Sequence, residues 1–316
     1  MIYSNIADTN KKVGKIILGT DLFGTLKSKE DSFKLLDLFV KLGGNMLDTA
    51  SVYADWLDMG KSMSEKTVGE WIKSRNCRDK IIISTKGGHY DLKTLKARLT
   101  YEDIHSDFEQ SLNNLNTDYI DVYWLHKDDP SKTPEEIIEI FNSSIDTKKV
   151  GCLGVSNWEY DRIKKANKYA VKKGLVPIKC SQIRHGLAKV NYETDGIFCM
   201  NREEYEKYSA DSIDVFAFSS QARGFFAILD KGNPDTLPDS VREELLNEQN
   251  LKLFEKLNDL GKEQNATASA VALSLLINDR KVNTFAQIGP ANEEQLRASF
   301  ESIKVSLDNI EINTLL

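Results

Sequence analysis

Cysteine and histidine are scarce in this chain, four of each among 316 residues, and neither clusters. Cys77, Cys152, Cys180 and Cys199 show no CxxC or Cys/His spacing, so no metal site is expected and buried, reduced thiols are the plain reading. A basic excess is also missing. The net charge is -6, no stretch concentrates Lys and Arg, and nucleic acid is therefore not the expected partner. Long apolar runs are absent too, the longest being Ala270 to Ile277, far short of the ~20 residues that span a bilayer. No positively charged start followed by an apolar block opens the chain, so a cytoplasmic protein without a membrane partner is expected. No Pro/Ser/Gly-rich linker and no low-complexity segment divides it, and residues 1–316 read as one domain.

What is present is an alternation. Two short segments around Ile2–Ser4 and Val13–Lys15, separated by polar Ala7–Lys12, suggest a β-hairpin. Apolar strands then follow at Ile16–Gly19, up to Asp48, and at Ile81–Lys86, Tyr119–Leu125, Val150–Val155, Ile178–Ile183, Ile213–Phe218 and Val282–Ile288. Helical periodicity lies between them: Phe33, Leu36 and Val40 in the first helix, and Phe108, Leu112 and Leu115 in the third. Ser62 and Glu65 have capping-box spacing, and Thr133, Pro134 and Glu136 mark the clearest helix start.

Strands that are apolar throughout, at about thirty-residue spacing, belong to a parallel sheet covered by helices. Eight such units favour a closed (β/α)8 TIM barrel with an N-terminal β-hairpin. Two long connections, 184–212 and 221–241, are expected at its C-terminal mouth, the end where barrel chemistry gathers. The unusual polar residues fall at those strand ends: Asp48, Lys86, His126, Ser156-Asn157, Gln182 and Ser219-Ser220.

Asp48 and Tyr53, five positions apart where a strand becomes a loop, read blandly as a capping carboxylate and a packed aromatic. With Lys86 and His126 they suit a reaction. A phenol has a reference pKa of about 10, and an adjacent ammonium should draw it back toward the working range. A carboxylate keeps that lysine charged, and a histidine can polarise a carbonyl oxygen. No Ser-His or Cys-His nucleophile accompanies them, so the attacking species is expected to be a hydride carried by a cofactor.

Gly19-Thr20-Asp21-Leu22-Phe23-Gly24, Leu47 to Tyr53, Ser64-Glu65, Ser84-Thr85-Lys86, Leu125-His126, Gly151 to Asn157 and Phe218 to Gly224 together resemble the aldo-keto reductase family, in order along the chain. The resemblance implies a nicotinamide dinucleotide bound in extended form without a GxGxxG loop, and none is present. It casts Tyr53 as general acid, Lys86 and Asp48 as its tuning pair, and His126 as the group that orients the carbonyl. By the same likeness Ser156, Asn157 and Gln182 hold the nicotinamide carboxamide, Phe218 stacks on the ring, and Gly19 and Thr20 line the nicotinamide and ribose. Ser219, Gln221, Arg223 and Gly224 follow the pyrophosphate, and Gly289, Asn292, Gln295 and Ser299 belong to the adenosine end. Taken alone, Ser156-Asn157 and Ser219 also read as helix caps, and Phe218 as ordinary core.

Two departures stand out. Relatives often place arginine where Ala291 stands, to grip the 2'-phosphate of NADP, and Glu293 and Glu294 follow it here. NADP is the family default, but NAD or dual use becomes more plausible. After Tyr53 a glycine is common in relatives, whereas this chain has Ala54-Asp55-Trp56. Trp56, Phe23 and Trp158 are candidates for an aromatic wall against a sugar-like or alicyclic carbonyl, or else for local packing. His185, Arg202 and Tyr205 lie in the long mouth loop. A small-molecule carbonyl or alcohol is the expected partner, with oligomeric state open. The alternatives are a redox-sensing regulatory subunit with little turnover, like the potassium-channel β subunits, and an aldolase using Lys86 as a Schiff base.

Overall fold

Eight short parallel strands pair edge to edge and close on themselves. The computed structural model describes residues 1–6, 9, 11–232 and 234–305; Ala7, Asp8 and Asn10 of the expected hairpin loop lie outside these, as do residues 306–316 of the expected domain. An antiparallel pair, β1 (Tyr3–Asn5) and β2 (Lys12–Gly14), precedes the barrel. The barrel's first half follows as β3 (Ile16–Gly19), α1 (Lys29–Lys41), β4 (Met46–Asp48), α2 (Met63–Arg75), β5 (Ile82–Gly87), α3 (Tyr101–Asn114), β6 (Ile120–Leu125) and α4 (Pro134–Ser144). The second half is β7 (Val150–Ser156), α5 (Tyr160–Lys173), β8 (Ile178–Arg184), α6 (Arg202–Ser209), β9 (Asp214–Phe218), α7 (Phe225–Leu229), α8 (Asp239–Leu245), α9 (Glu248–Lys262), α10 (Ala268–Ile277), β10 (Thr284–Ile288) and α11 (Glu293–Glu301). The sheet order β10-β3-β4-β5-β6-β7-β8-β9 closes the (β/α)8 barrel, and the expected N-terminal hairpin is present.

Each strand sends at least one side chain into the barrel: Ile17, Met46, Ile82, Val122 with Trp124, Cys152, Cys180, Phe216 and Phe285 form one buried cluster. The lumen is a filled core, as barrels of this size require. Ile6 and Val13 join that cluster from the hairpin, which therefore closes its lower end. Gly154 on β7 is dictated by packing, since a Cβ there would stand 2.2 Å from the Trp124 ring. With its lower half packed, the barrel leaves only its upper rim open to a ligand.

Several local expectations are corrected. The buried stripe of α1 is Ser32, Leu35, Leu36, Leu38 and Phe39; Val40 is 40% exposed and faces away. Ser62 does not form a capping box. It sits at φ 54° in the left-handed region, gives no cap to α2, and donates instead to the Ser51 carbonyl. Glu65 turns inward, accepting from Thr85 and Asn114, so the capping spacing was coincidental. The box at Thr133 and Glu136 is formed as expected. Cys152 and Cys180 are buried free thiols, but Cys77 and Cys199 are only half-buried. The connection 184–212 carries α6, and 221–241 carries α7 and the start of α8. Among the described residues no helix is long and apolar enough to cross a membrane, and no three metal-ligating side chains cluster.

Candidate active site

Asp48 and Lys86 end or nearly end adjacent strands, β4 and β5, which pair Asp48 with Ser84. That register carries Lys86 two residues past the carboxylate, and its side chain turns back along the rim. Lys86 Nζ donates to Asp48 Oδ2 at 2.5 Å, to the Thr49 carbonyl at 2.8 Å and to Tyr53 Oη at 3.0 Å. An ammonium has three protons, and all three are used. Asp48 is held in turn by Ser84 Oγ at 2.6 Å and Gln182 Nε2 at 3.1 Å, so the buried ion pair is saturated. Such a pair holds its geometry because breaking either half leaves an uncompensated charge.

Burial opposes the charge on Lys86, but Asp48 and Tyr53 hold its pKa above the ordinary value. Burial likewise pushes Tyr53 up, to about 12, and Lys86 only partly offsets it. The lysine draws the phenol's pKa down, the direction expected from sequence, and so limits the rise that burial imposes. Because Lys86 donates to Oη, the phenol's own proton is free to point elsewhere.

His126 is the next residue after β6, and its ring lies 5.7 Å from that of Tyr53. Burial, then Lys86, His89 and Lys127, depress its pKa well below the usual histidine range. The imidazole is therefore neutral near pH 7, and Nδ1 is enclosed without a partner. A neutral imidazole beside a proton-bearing phenol can donate to the same oxygen without competing as an acid.

Above the tetrad opens a cavity of about 890 Å³, which runs from Trp56, His89 and Tyr90 to Glu294, Gln295 and Ser299. Gly19, Tyr53, His126, Ser156, Asn157, Gln182, Phe218, Ser219, Gln221, Arg223, Gly224 and Gly289 also line it. Asn157, Ser219 and Arg223 adopt left-handed backbone, at φ 60°, 53° and 51°. Non-glycine residues held there store strain, and that strain clusters at ligand sites. A Cβ added to Gly224 or Gly289 would meet no protein atom within 4 Å, so both backbones face open space. Gln221 and Ser299 are hydrogen-bonded to each other at the end of the cavity that Glu294 and Gln295 line. A long trough lined by small residues, hydroxyls and amides fits an extended dinucleotide. Neither Ser156-Asn157 nor Ser219 caps a helix; α5 begins after Glu159.

Other assignments move. Thr20 is buried, bonded to Asp48 O and Ser64, and does not line the cavity. Asn292 caps α11 and also stays outside the lining. Phe23 and Trp158, candidates for a substrate wall or for local packing, are 2% and 0% exposed and pack in the core. Of the three, Trp56 alone lines the cavity, 52% exposed and edge-on to Tyr53. His185 and Tyr205 are buried away from it, and Tyr205 bonds Asp279. Asp21, His89, Tyr90 and Lys127 line the cavity without having been singled out as site residues. Lys127 directly follows His126 and His89 follows Lys86 by three, so strand-end position was the available signal.

The Aldo/keto reductase family model matches residues 15–315. An aryl-alcohol dehydrogenase of Pestalotiopsis microspora is 30% identical over 286 residues, spanning 89% of this chain and 70% of that one. A norsolorinic acid reductase of Emericella nidulans is 29% identical over 321 residues, spanning 95% and 77%. A thermostable aldo-keto reductase solved with the inhibitor epalrestat superposes with a TM-score of 0.74 at 22% identity, covering 100% of this chain and 98% of that one, which is a likeness of fold.

Proposed function

This chain belongs to the aldo/keto reductase family and is an NAD(P)H-dependent oxidoreductase, and from that premise we propose that it reduces aldehydes or ketones with Tyr53 as the proton donor. The observation that carries the reading is the saturated Lys86, which donates to the phenol oxygen and leaves the phenol's own proton free beside His126.

A nicotinamide dinucleotide held in this cavity would supply the hydride. His126 donates to the carbonyl oxygen and holds it against Tyr53 Oη. Tyr53 would give its proton to the oxygen of the carbonyl being reduced, which would leave an alcohol and a phenolate facing the Lys86 ammonium. Asp48 keeps that ammonium charged through the cycle, and solvent returns the proton. Ser156, Asn157 and Gln182 are assigned to the nicotinamide carboxamide and Phe218 to its ring face. Gly19, Ser219, Gln221, Arg223 and Gly224 are assigned to the pyrophosphate path, and Gly289, Gln295 and Ser299 to the adenosine end. Residues 1–316 are read as one catalytic domain.

Both dinucleotides are proposed as cofactors. Ala291 offers no guanidinium for a 2'-phosphate, and Glu294 lines the cavity beside it, yet the Lys27 ammonium rests on the Ala291 carbonyl. Aromatic carbonyl compounds are the proposed substrate class, supported by the exposed indole of Trp56 and by relatives named for aryl alcohols.

The test is Tyr53→Phe assayed with 4-nitrobenzaldehyde. Loss of about 10²- to 10⁴-fold in turnover is expected for removal of a general acid, with dinucleotide binding, read by nicotinamide fluorescence, retained. Full turnover in that variant would exclude Tyr53 as the donor. A wild-type protein that binds dinucleotide but reduces no carbonyl is a sensor instead.

A further inference from the structure

Five rings follow one another along the substrate end of the cavity. Trp56 meets Tyr53 at 6.5 Å, Tyr53 meets His126 at 5.7 Å, His126 meets His89 at 4.7 Å, and His89 meets Tyr90 at 4.0 Å. At the far end the Lys127 ammonium stands 5.5 Å from the Tyr90 ring centre. A substrate ring seated along these rings with its carbonyl at Tyr53 and His126 would turn its opposite edge toward Lys127.

Lys127 plays no part in the proton transfer. It is half-buried, lines the cavity, and gives one proton to the Gly196 carbonyl at 2.7 Å. Two of its three donors remain. The carboxylate whose field reaches it is Asp195, beside Gly196. Burial lowers its pKa, the sign of a cation held without full compensation. Of the two carboxylates that line the cavity, Asp21 stands within the field of Lys86 and Asp48, and Glu294 lies with Gln295 and Ser299 at the other end. His89 gives its Nδ1 proton to the Tyr90 carbonyl at 2.9 Å, and burial, with Lys127 and Arg98, lowers its pKa below the ordinary histidine value, so it serves as wall rather than as a second cation.

We propose that Lys127 is a specificity-determining residue that binds an anionic group of the substrate, and that the preferred substrates are aromatic carbonyl compounds bearing a carboxylate across the ring from, or beside, the reacting carbon. The proposal rests on the reductase reading above and refines its substrate. A neutral aldehyde needs only Tyr53 and His126; a lysine with free donors at the end of the same wall adds affinity for a negative oxygen that water would otherwise solvate.

The test compares 2-, 3- and 4-formylbenzoate with their methyl esters. For at least one isomer the acid is expected to exceed its ester in kcat/KM by about tenfold or more, with the difference residing in KM and shrinking as salt is raised. Lys127→Met is expected to bring that ratio close to one, and Lys127→Arg to keep most of it. Reduction of the esters with no acid preference at any isomer, or a preference unchanged in Lys127→Met, overturns the anion subsite while leaving the reductase reading intact. Failure to reduce either acids or esters overturns both.

Discussion

Lys86 meets Tyr53 as a donor, 3.0 Å from the phenol oxygen, and spends its other two protons on Asp48 and the Thr49 carbonyl. A lysine so fully engaged and held charged is no candidate for Schiff-base chemistry, which needs a free neutral amine. Its role is to stabilise the phenolate that proton transfer leaves behind.

Lys86→Met is therefore expected to lose reductase activity about as completely as Tyr53→Phe. It should also be destabilised by about 3–5 kcal/mol, because Asp48 is left buried without its cation. Adding Asp48→Asn removes that orphan charge. The double variant should recover stability in urea unfolding without recovering turnover; recovered turnover would show that the lysine does not tune the phenol.

Burial holds Tyr53 at about 12, and the two directions of the reaction should respond oppositely to pH. Reduction consumes the protonated phenol, so its kcat should be flat from about pH 6 to 9. Alcohol oxidation needs the phenolate and should climb with pH across that range, by up to about tenfold per unit. A reduction rate that fell with a midpoint near neutrality would point to a different proton donor.

Asp48, Lys86 and His126 are legible in the sequence because strands buried on both faces are apolar throughout, and a charge at the end of one stands out. The barrel is legible for the same reason. Phe23 and Trp158 are not, since an aromatic next to a motif reads identically whether it faces the cavity or the helices; Trp158 packs inward and leaves Asn157 to line the mouth. Ser62 has the spacing of a cap, but its backbone turns left-handed because its hydroxyl is drawn to the Ser51 carbonyl. Lys127 is hidden by its neighbour: one position past His126, it looks like loop charge until the ring wall that ends at it is seen.

His185 follows β8 and is buried, and neither ring nitrogen has a partner. Burial lowers its pKa to about 4. The unfolded chain, with an ordinary value near 6.5, binds a proton that the folded chain refuses, so stability falls as pH drops from about 6.5 toward 4. By pH 4.5 this one group should cost about 2–3 kcal/mol. His185→Leu removes the titration and two unsatisfied polar atoms. Its unfolding free energy should match or exceed wild type at pH 7 and should decline less between pH 7 and 4.5 by about that amount. Parallel pH profiles for the two proteins would mean that the imidazole is solvated in the native state.

Charge at the adenosine end should decide between the dinucleotides. Gln295 accepts from the Ala291 amide and Asn292 caps α11, so the turn is fixed by its own side chains and offers a phosphate little beyond Lys27. Glu293 is partly occupied by Arg297 at 3.8 Å, while Glu294 lines the cavity. A 2'-phosphate gains from Lys27 and loses to Glu294, whereas a 2'-hydroxyl is indifferent to the first and can donate to the second. The kcat/KM values for NADPH and NADH are thus expected within about tenfold of each other, a difference below about 1.4 kcal/mol. Lys27→Met should weaken NADPH several-fold with little effect on NADH, and Glu294→Gln should favour NADPH by a similar factor. Both effects should shrink at high salt, because these charges are near the surface. A wild-type preference for NADPH above about a hundredfold that survives Lys27→Met would mean that another cation grips the phosphate.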